Sequence, residues 1–114
     1  VSGRNRAVGA AGEAAAAAWY EARGYQLLAR NWRCREGELD LVLAQRGTVV
    51  FCEVKARSSA AFGLPAEAVT RTKQQRIRLL ATRWLETSGT RPKALRFDVA
   101  CVLAGEVTVL EACF

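Results

Sequence analysis

Two short apolar runs, Glu38-Leu-Asp-Leu-Val-Leu-Ala44 and Thr48-Val-Val-Phe-Cys-Glu-Val-Lys-Ala56, are separated only by Gln45-Arg46-Gly47. A three-residue link containing glycine favours a hairpin. The runs therefore predict two paired strands, with Asp40, Glu53 and Lys55 set inside apolar sequence. A charge buried in such a strand is costly unless it is paired or binds a metal. Any fold for this chain must accommodate all three.

Strand side chains alternate faces. Glu38, Asp40 and Val42 are thus expected on one face of the first run, and Leu39, Leu41 and Leu43 on the other. Val49, Phe51, Glu53 and Lys55 share a face of the second. Pairing through the short link brings Asp40 near Glu53, with Lys55 two residues further on. Two converging carboxylates form a hard, oxygen-rich site that suits Mg²⁺ or Mn²⁺. A neighbouring lysine can stabilise developing negative charge or position a water. Metal-assisted phosphodiester hydrolysis uses these parts. The plain structural alternative is a cross-strand ion pair on an exposed sheet face, worth ~0.2–1 kcal/mol. Apolar residues on both sides of the second run, Val50, Cys52 and Val54 against Val49 and Phe51, argue instead that both faces are covered.

The remaining pattern surrounds this hairpin with further elements. Alanine-rich sequence from Ala7 to Arg23 predicts a helix that stops at Gly24. Glu13 shares a face with Ala10 and Ala17. It either points toward the sheet across that small-residue face or is an ordinary first-turn glutamate favouring the helix dipole. Tyr25 to Trp32 reads as a strand, Arg33 to Gly37 as a polar turn, and Arg57 to Pro65 as a Ser/Gly loop. Ala66 to Thr87 reads as a second helix with an inward stripe of Val69, Lys73, Ile77, Leu80, Ala81 and Trp84. A lysine on that stripe either snorkels along its apolar stem or serves a site. Ser88 to Pro92 ends the helix, and Leu95–Leu103 and Glu106–Cys113 read as two more strands. Helix, three strands, helix and two strands make an α/β chain with a mixed sheet flanked by helices.

At 114 residues, 51% hydrophobic and 25% charged, the chain fits one globular domain, 1–114. No apolar run is long enough for a membrane span, and the start lacks a signal-like apolar stretch. There is no histidine, and Cys34, Cys52, Cys101 and Cys113 form no CxxC pair. Zinc sites and histidine-based catalysis are thereby disfavoured, and scattered cysteines in apolar runs suit a reducing, cytoplasmic setting. Seventeen basic residues face eleven acidic ones, for a net charge of +6. Between Arg71 and Arg96 the only acid is Glu86. Such a stripe suits a polyanion, most simply nucleic acid, although a solvated helix face has the same composition.

The pattern Asp40, twelve residues, Glu53-Val54-Lys55 resembles the PD-(D/E)xK nuclease motif, with Leu39 where the motif carries proline. The wider string is more specific. Gly12-Glu13, Arg30-Asn31-Trp32-Arg33, Gly37-Glu38-Leu39-Asp40-Leu41, Val50 to Arg57, Phe62-Gly63, Val69-Thr70, Lys73-Gln74 and Arg96-Phe97-Asp98-Val99 resemble the YraN-type (UPF0102) bacterial family. Its members are predicted endonucleases similar to archaeal Holliday-junction resolvases.

The resemblance implies a restriction-endonuclease-like αβββαβ core with an extra C-terminal strand, Mg²⁺ or Mn²⁺, and a DNA substrate. By position, it implies Asp40 and Glu53 as metal ligands, Lys55 as the catalytic lysine, and Glu13 as the acid completing the set. Glu38 flanks the site, and Lys73 and Gln74 match a helix position that approaches it. As plain residues, Glu38 is a solvated strand-end charge and Gln74 an exposed helix position. Arg57, Arg71, Arg76, Arg78 and Arg83 are the candidates to hold phosphates without reading sequence. Trp32 is placed to stack on a base or to fill a core. A second copy of the chain would suit a two-fold symmetric junction. The competing readings are a non-catalytic nucleic-acid-binding module on a nuclease fold and, third, a protein-interaction factor with incidental charge.

Overall fold

The computed structural model describes residues 2–57 and 69–114, with side chains from residue 7 onward. The predicted loop beyond Arg57, the Phe62-Gly63 pair and the first residues expected in the second helix lie outside the described residues.

The elements are α1 (Ser2–Glu21), β1 (Gln26–Cys34), β2 (Gly37–Gln45), β3 (Thr48–Arg57), α2 (Arg71–Ser88), β4 (Ala94–Leu103) and β5 (Glu106–Leu110). The strands form one sheet in the order β1-β2-β3-β4-β5. All neighbours run antiparallel except β3 and β4, which are parallel. A parallel neighbour requires a crossover, and α2 lies in that connection. This is the α/β order expected from the sequence: helix, three strands, helix, two strands.

The sheet separates two apolar layers. On one face Ala16, Ala17 and Tyr20 of α1 pack with Leu41, Leu43, Val50, Cys52, Ala100 and Val102. On the other, Ile77, Leu80, Ala81 and Trp84 of α2 pack with Val42, Val49, Phe51 and Phe97. Phe51 meets Trp84 edge-on and stacks on Phe97, with centroids 5.9 and 5.6 Å apart. Small residues let α1 sit close to the sheet. A Cβ placed on Gly12 would lie 2.5 Å from the Cβ of Ala56 on β3. The buried α1 stripe therefore runs through Gly12, Ala16, Ala17 and Tyr20, while Ala10 is exposed.

Several boundaries differ from the sequence reading. α1 begins at Ser2 rather than Ala7. The polar turn from Arg33 to Gly37 shrinks to Arg35-Glu36, because Arg33 and Cys34 still pair with Glu38 and Gly37. α2 starts at Arg71, where the Thr70 side chain accepts the Lys73 N–H, and ends at Gly89, whose φ of 72° suits glycine. β5 stops at Leu110 instead of Cys113. Asp98 turns the chain there: its Oδ1 accepts the Ala112 N–H at 3.0 Å, and the Cys113 N–H donates to the Phe97 carbonyl at 2.7 Å.

Asp98 is fully buried. Besides Ala112 it accepts from the Tyr20 hydroxyl at 2.6 Å and from Arg96 Nε and Nη2, each at 2.9 Å. Arg96 also donates to the Tyr25 hydroxyl at 3.0 Å. Burial, with Cys52 and the hydrogen-bonded Asp98 carboxylate beside it, pushes the Tyr20 phenol far above its ordinary value. Asp98 and Arg96 together thus tie α1, the segment leading into β1, β4 and the C-terminal turn.

Candidate functional site

The site forms where β2 and β3 part. Their pairing runs from Gln45 opposite Thr48 to Leu41 opposite Cys52 and stops there. The next rung would set Asp40 beside Glu53. Instead, the Val54 N–H donates to Asp40 Oδ2 at 2.8 Å. A side chain thus takes the place of a ladder partner and holds the splayed end in register.

Strand alternation reverses at this rung. Leu41 and Leu43 belong to the α1 layer, but Leu39 lies in the α2 layer. The expectation that Leu39, Leu41 and Leu43 share a face is therefore incorrect. β1 makes the same reversal. Arg30 and Trp32 pair with Leu41 and Leu39, and between them stands Asn31 with a φ of 52°. Asparagine tolerates left-handed backbone better than most residues, and one such residue breaks the regular pleat. Trp32 consequently packs, partly buried, against the α2 layer.

On β3 the alternation stays regular. Phe51 belongs to the α2 layer, and Val54 and Ala56 pack on the α1 layer. Glu53 and Lys55 therefore face α2. Glu53 is buried, and its Oε2 lies 3.3 Å from Lys55 Nζ and 2.6 Å from Lys73 Nζ. The inward lysine of α2 reaches the acid instead of snorkelling out to solvent.

Charge here is poorly balanced at Asp40. Burial and then the Glu53 charge push its carboxyl up to about 7; the Val54 N–H works the other way, and Glu13 adds to the rise. Burial also pushes the Lys55 ammonium below its ordinary value, helped by Lys73 and opposed by Glu53. Burial works against the Lys73 charge too, but its contact with Glu53 prevails and holds it above its ordinary value.

Glu13 approaches from the α1 side. Its side chain is 16% exposed and lies 3.9 Å from Arg30 Nε. Because α1 starts at Ser2, Glu13 is in the middle of the helix, and the first-turn dipole explanation does not apply. Among the described residues, no three His, Cys, Asp or Glu side chains are grouped so as to hold a metal ion. Asp40 and Glu53 are neighbouring carboxylates, the hard oxygen donors that a small divalent ion keeping several waters would take.

The other candidates are dispersed. Glu38 pairs with Arg33 at 2.8 Å near the surface. Gln74 Nε2 donates to the Val69 carbonyl at 3.2 Å, at the start of α2. Arg83 lies between Glu36 and Glu86, at 3.7 and 3.2 Å. Arg78 sits over the rings of Phe97 and Phe114. Arg57, at the end of β3, donates to the Ala56 carbonyl. Arg71 and Arg76 are exposed on α2. The basic stripe is thus not one uniform surface, since Arg83 is matched by acids and Arg78 covers aromatic rings.

Among the described residues, a five-stranded mixed sheet between two helices defines an α/β protein, an arrangement consistent with a compact nuclease-like core. The chain belongs to the uncharacterised protein family UPF0102, whose model matches residues 12–102 and so spans Glu13, Asp40, Glu53, Lys55 and Lys73. It is 54% identical to a UPF0102 protein of Beutenbergia cavernae over 97 residues, covering 85% of this chain and 82% of that one. Identity to a UPF0102 protein of Rhodococcus jostii is 48% over 101 residues, covering 89% and 86%. A UPF0102 protein of Symbiobacterium thermophilum gives the same figures, 48% over 101 residues with 89% and 86% covered. Among the described residues, no helix is long and apolar enough to cross a membrane.

Proposed function

We propose that the protein is a metal-dependent DNA endonuclease acting on branched or otherwise structured DNA. The observation that carries this reading is the meeting of Asp40, Glu53 and Lys55 where β2 and β3 separate, with Asp40 crowded by a second carboxylate. In this reading Asp40 and Glu53 hold Mg²⁺ or Mn²⁺, and Glu13 adds negative charge from α1. The bound ion supplies Lewis acidity and lowers the pKa of a coordinated water. Lys55, partly desolvated, stands ready to position the attacking water or to offset charge growing on the phosphate. Arg71 and Lys73 lie in the first turn of α2. Cations there oppose the helix dipole by ~0.3–1 kcal/mol each, a cost that a bound phosphate would offset. Arg71 and Arg76 supply exposed charge for the DNA backbone, and a second copy of the chain would match a symmetric junction.

Purified protein with Mg²⁺ or Mn²⁺ is expected to cut a four-way junction or a flap, and Asp40→Asn to abolish cutting. Equal cutting by the variant would assign the activity to a contaminant. One observation favours a second reading, a non-catalytic nucleic-acid-binding module: Glu53 Oε2 already has two ammonium groups beside it. That module would bind DNA in a salt-sensitive manner, unaffected by metal or by Glu53→Gln.

A further inference from the structure

Lys73 stands out because its placement conflicts with the role given to Glu53. Its Nζ lies 2.6 Å from Glu53 Oε2, closer than the 3.3 Å of Lys55 Nζ from the same oxygen. An ammonium and a divalent ion seek the same lone pairs of a carboxylate. The two lysines differ in freedom. Lys55 is on β3, two residues from Glu53, with a side chain 12% exposed, whereas Lys73 reaches in from the first turn of α2 and is 39% exposed. Lys73 can swing outward into solvent on its flexible stem, while the sheet confines Lys55.

We propose that Lys73 is a built-in countercation that holds Glu53 in the metal-free protein, yields that carboxylate to the divalent ion, and then pairs with a phosphate of the bound substrate. This inference rests on the proposed metal site. With Asp40 and Glu53 ionised, Lys55 and Lys73 balance the two carboxylates. An added divalent ion leaves the cluster with an excess of positive charge, which favours an anionic substrate. The released ammonium remains tethered to the α2 N-terminus, whose dipole also favours an anion. Lys73 is thus a switching partner: metal and Lys73 compete for Glu53, whereas metal and substrate support one another.

Mn²⁺ binding to DNA-free protein, read as loss of the free-ion paramagnetic resonance signal, tests the competition. Lys73→Met keeps the apolar stem and removes the charge. It is expected to bind Mn²⁺ roughly three- to tenfold more tightly than wild type, because a ligand competing for the same group is gone. Lys73→Gln provides a second neutral variant should the first fold poorly. Glu53→Gln is expected to lose the binding. Equal or weaker Mn²⁺ affinity in both Lys73 variants, with wild type binding well, would overturn the Lys73 proposal and leave the metal site standing. No Mn²⁺ binding by any form would overturn both. A second readout uses the chain's three lysines, Lys55, Lys73 and Lys93. With ¹³Cε-labelled lysine, Mg²⁺ is expected to move the Lys73 resonance toward that of a solvated side chain. A Lys73 resonance unmoved at saturating Mg²⁺ would contradict release.

Discussion

Asp98 and Asp40 are carboxylates on strands of the same sheet, in surroundings that differ sharply. Asp98 accepts from Tyr20, from two nitrogens of Arg96 and from the Ala112 backbone. Asp40 accepts from the Val54 N–H and is pressed by the charges of Glu53 and Glu13. Buried charge that is fully hydrogen-bonded holds elements in place, and removing one partner strands the other. Buried charge left crowded by like charge stores a demand for a cation or a proton. The first arrangement maintains the fold, and the second is the better candidate for chemistry.

The contrast can be broken most forcefully at Asp98. Asp98→Ala leaves Arg96 without its buried partner and is expected to cost about 3–5 kcal/mol in urea denaturation. A loss below about 1 kcal/mol, the range of an exposed pair, would remove the structural role. Asp40→Asn should act in the opposite direction. A carboxyl raised to about 7 in the fold favours the folded state fully only below its unfolded pKa near 4. That stability is lost as pH rises through 7. Metal-free Asp40→Asn is therefore expected to match wild type near pH 4 and exceed it above pH 7, by on the order of 4 kcal/mol. Saturating Mg²⁺ should narrow or reverse the gap by stabilising only the wild type. Urea curves with parallel pH dependence for the two proteins would contradict the crowding at Asp40.

Smaller effects sharpen the comparison. Gly12→Ala puts a Cβ against Ala56 and should push α1, and Glu13 with it, off the sheet. Overpacking of this kind costs ~1–3 kcal/mol, partly offset by alanine's better helix propensity. A more stable variant would mean that α1 is not seated closely there. Glu38→Gln removes an acid whose partner Arg33 has a side chain 81% exposed. It is expected to change thermal stability within ~0.5 kcal/mol; a larger loss would assign Glu38 to the site.

Much of this contrast was legible in the sequence, but unevenly. Period-two alternation and the Gln45-Arg46-Gly47 link located β2, β3 and the approach of Asp40 to Glu53. The alanine run located α1, and helical spacing put Lys73 on the inward stripe of α2. The reversal at Asn31 and Asp40 was hidden, because alternation assumes an unbroken pleat and the left-handed residue lies on the neighbouring strand. Asparagine inside a predicted strand, a residue that tolerates left-handed backbone, was the signal available. The Asp98 network was legible only at Arg96, two residues away: Tyr20 and Asp98 are 78 residues apart, and only the tertiary fold brings them together. Arg83 looked free for phosphate because Glu36 comes to it from the β1–β2 turn. Composition gives charge totals, whereas the fold decides which charges are already matched.

The proposed nuclease function requires Asp40 and Glu53 together to hold a divalent cation. Crystals soaked in Mn²⁺ and measured at a wavelength where manganese scatters anomalously test it most directly. An anomalous peak is expected between the two carboxylates, with oxygens at about 2.1 Å and Lys73 Nζ withdrawn from Glu53. No peak at saturating Mn²⁺, with Lys73 still on Glu53 Oε2, would contradict it.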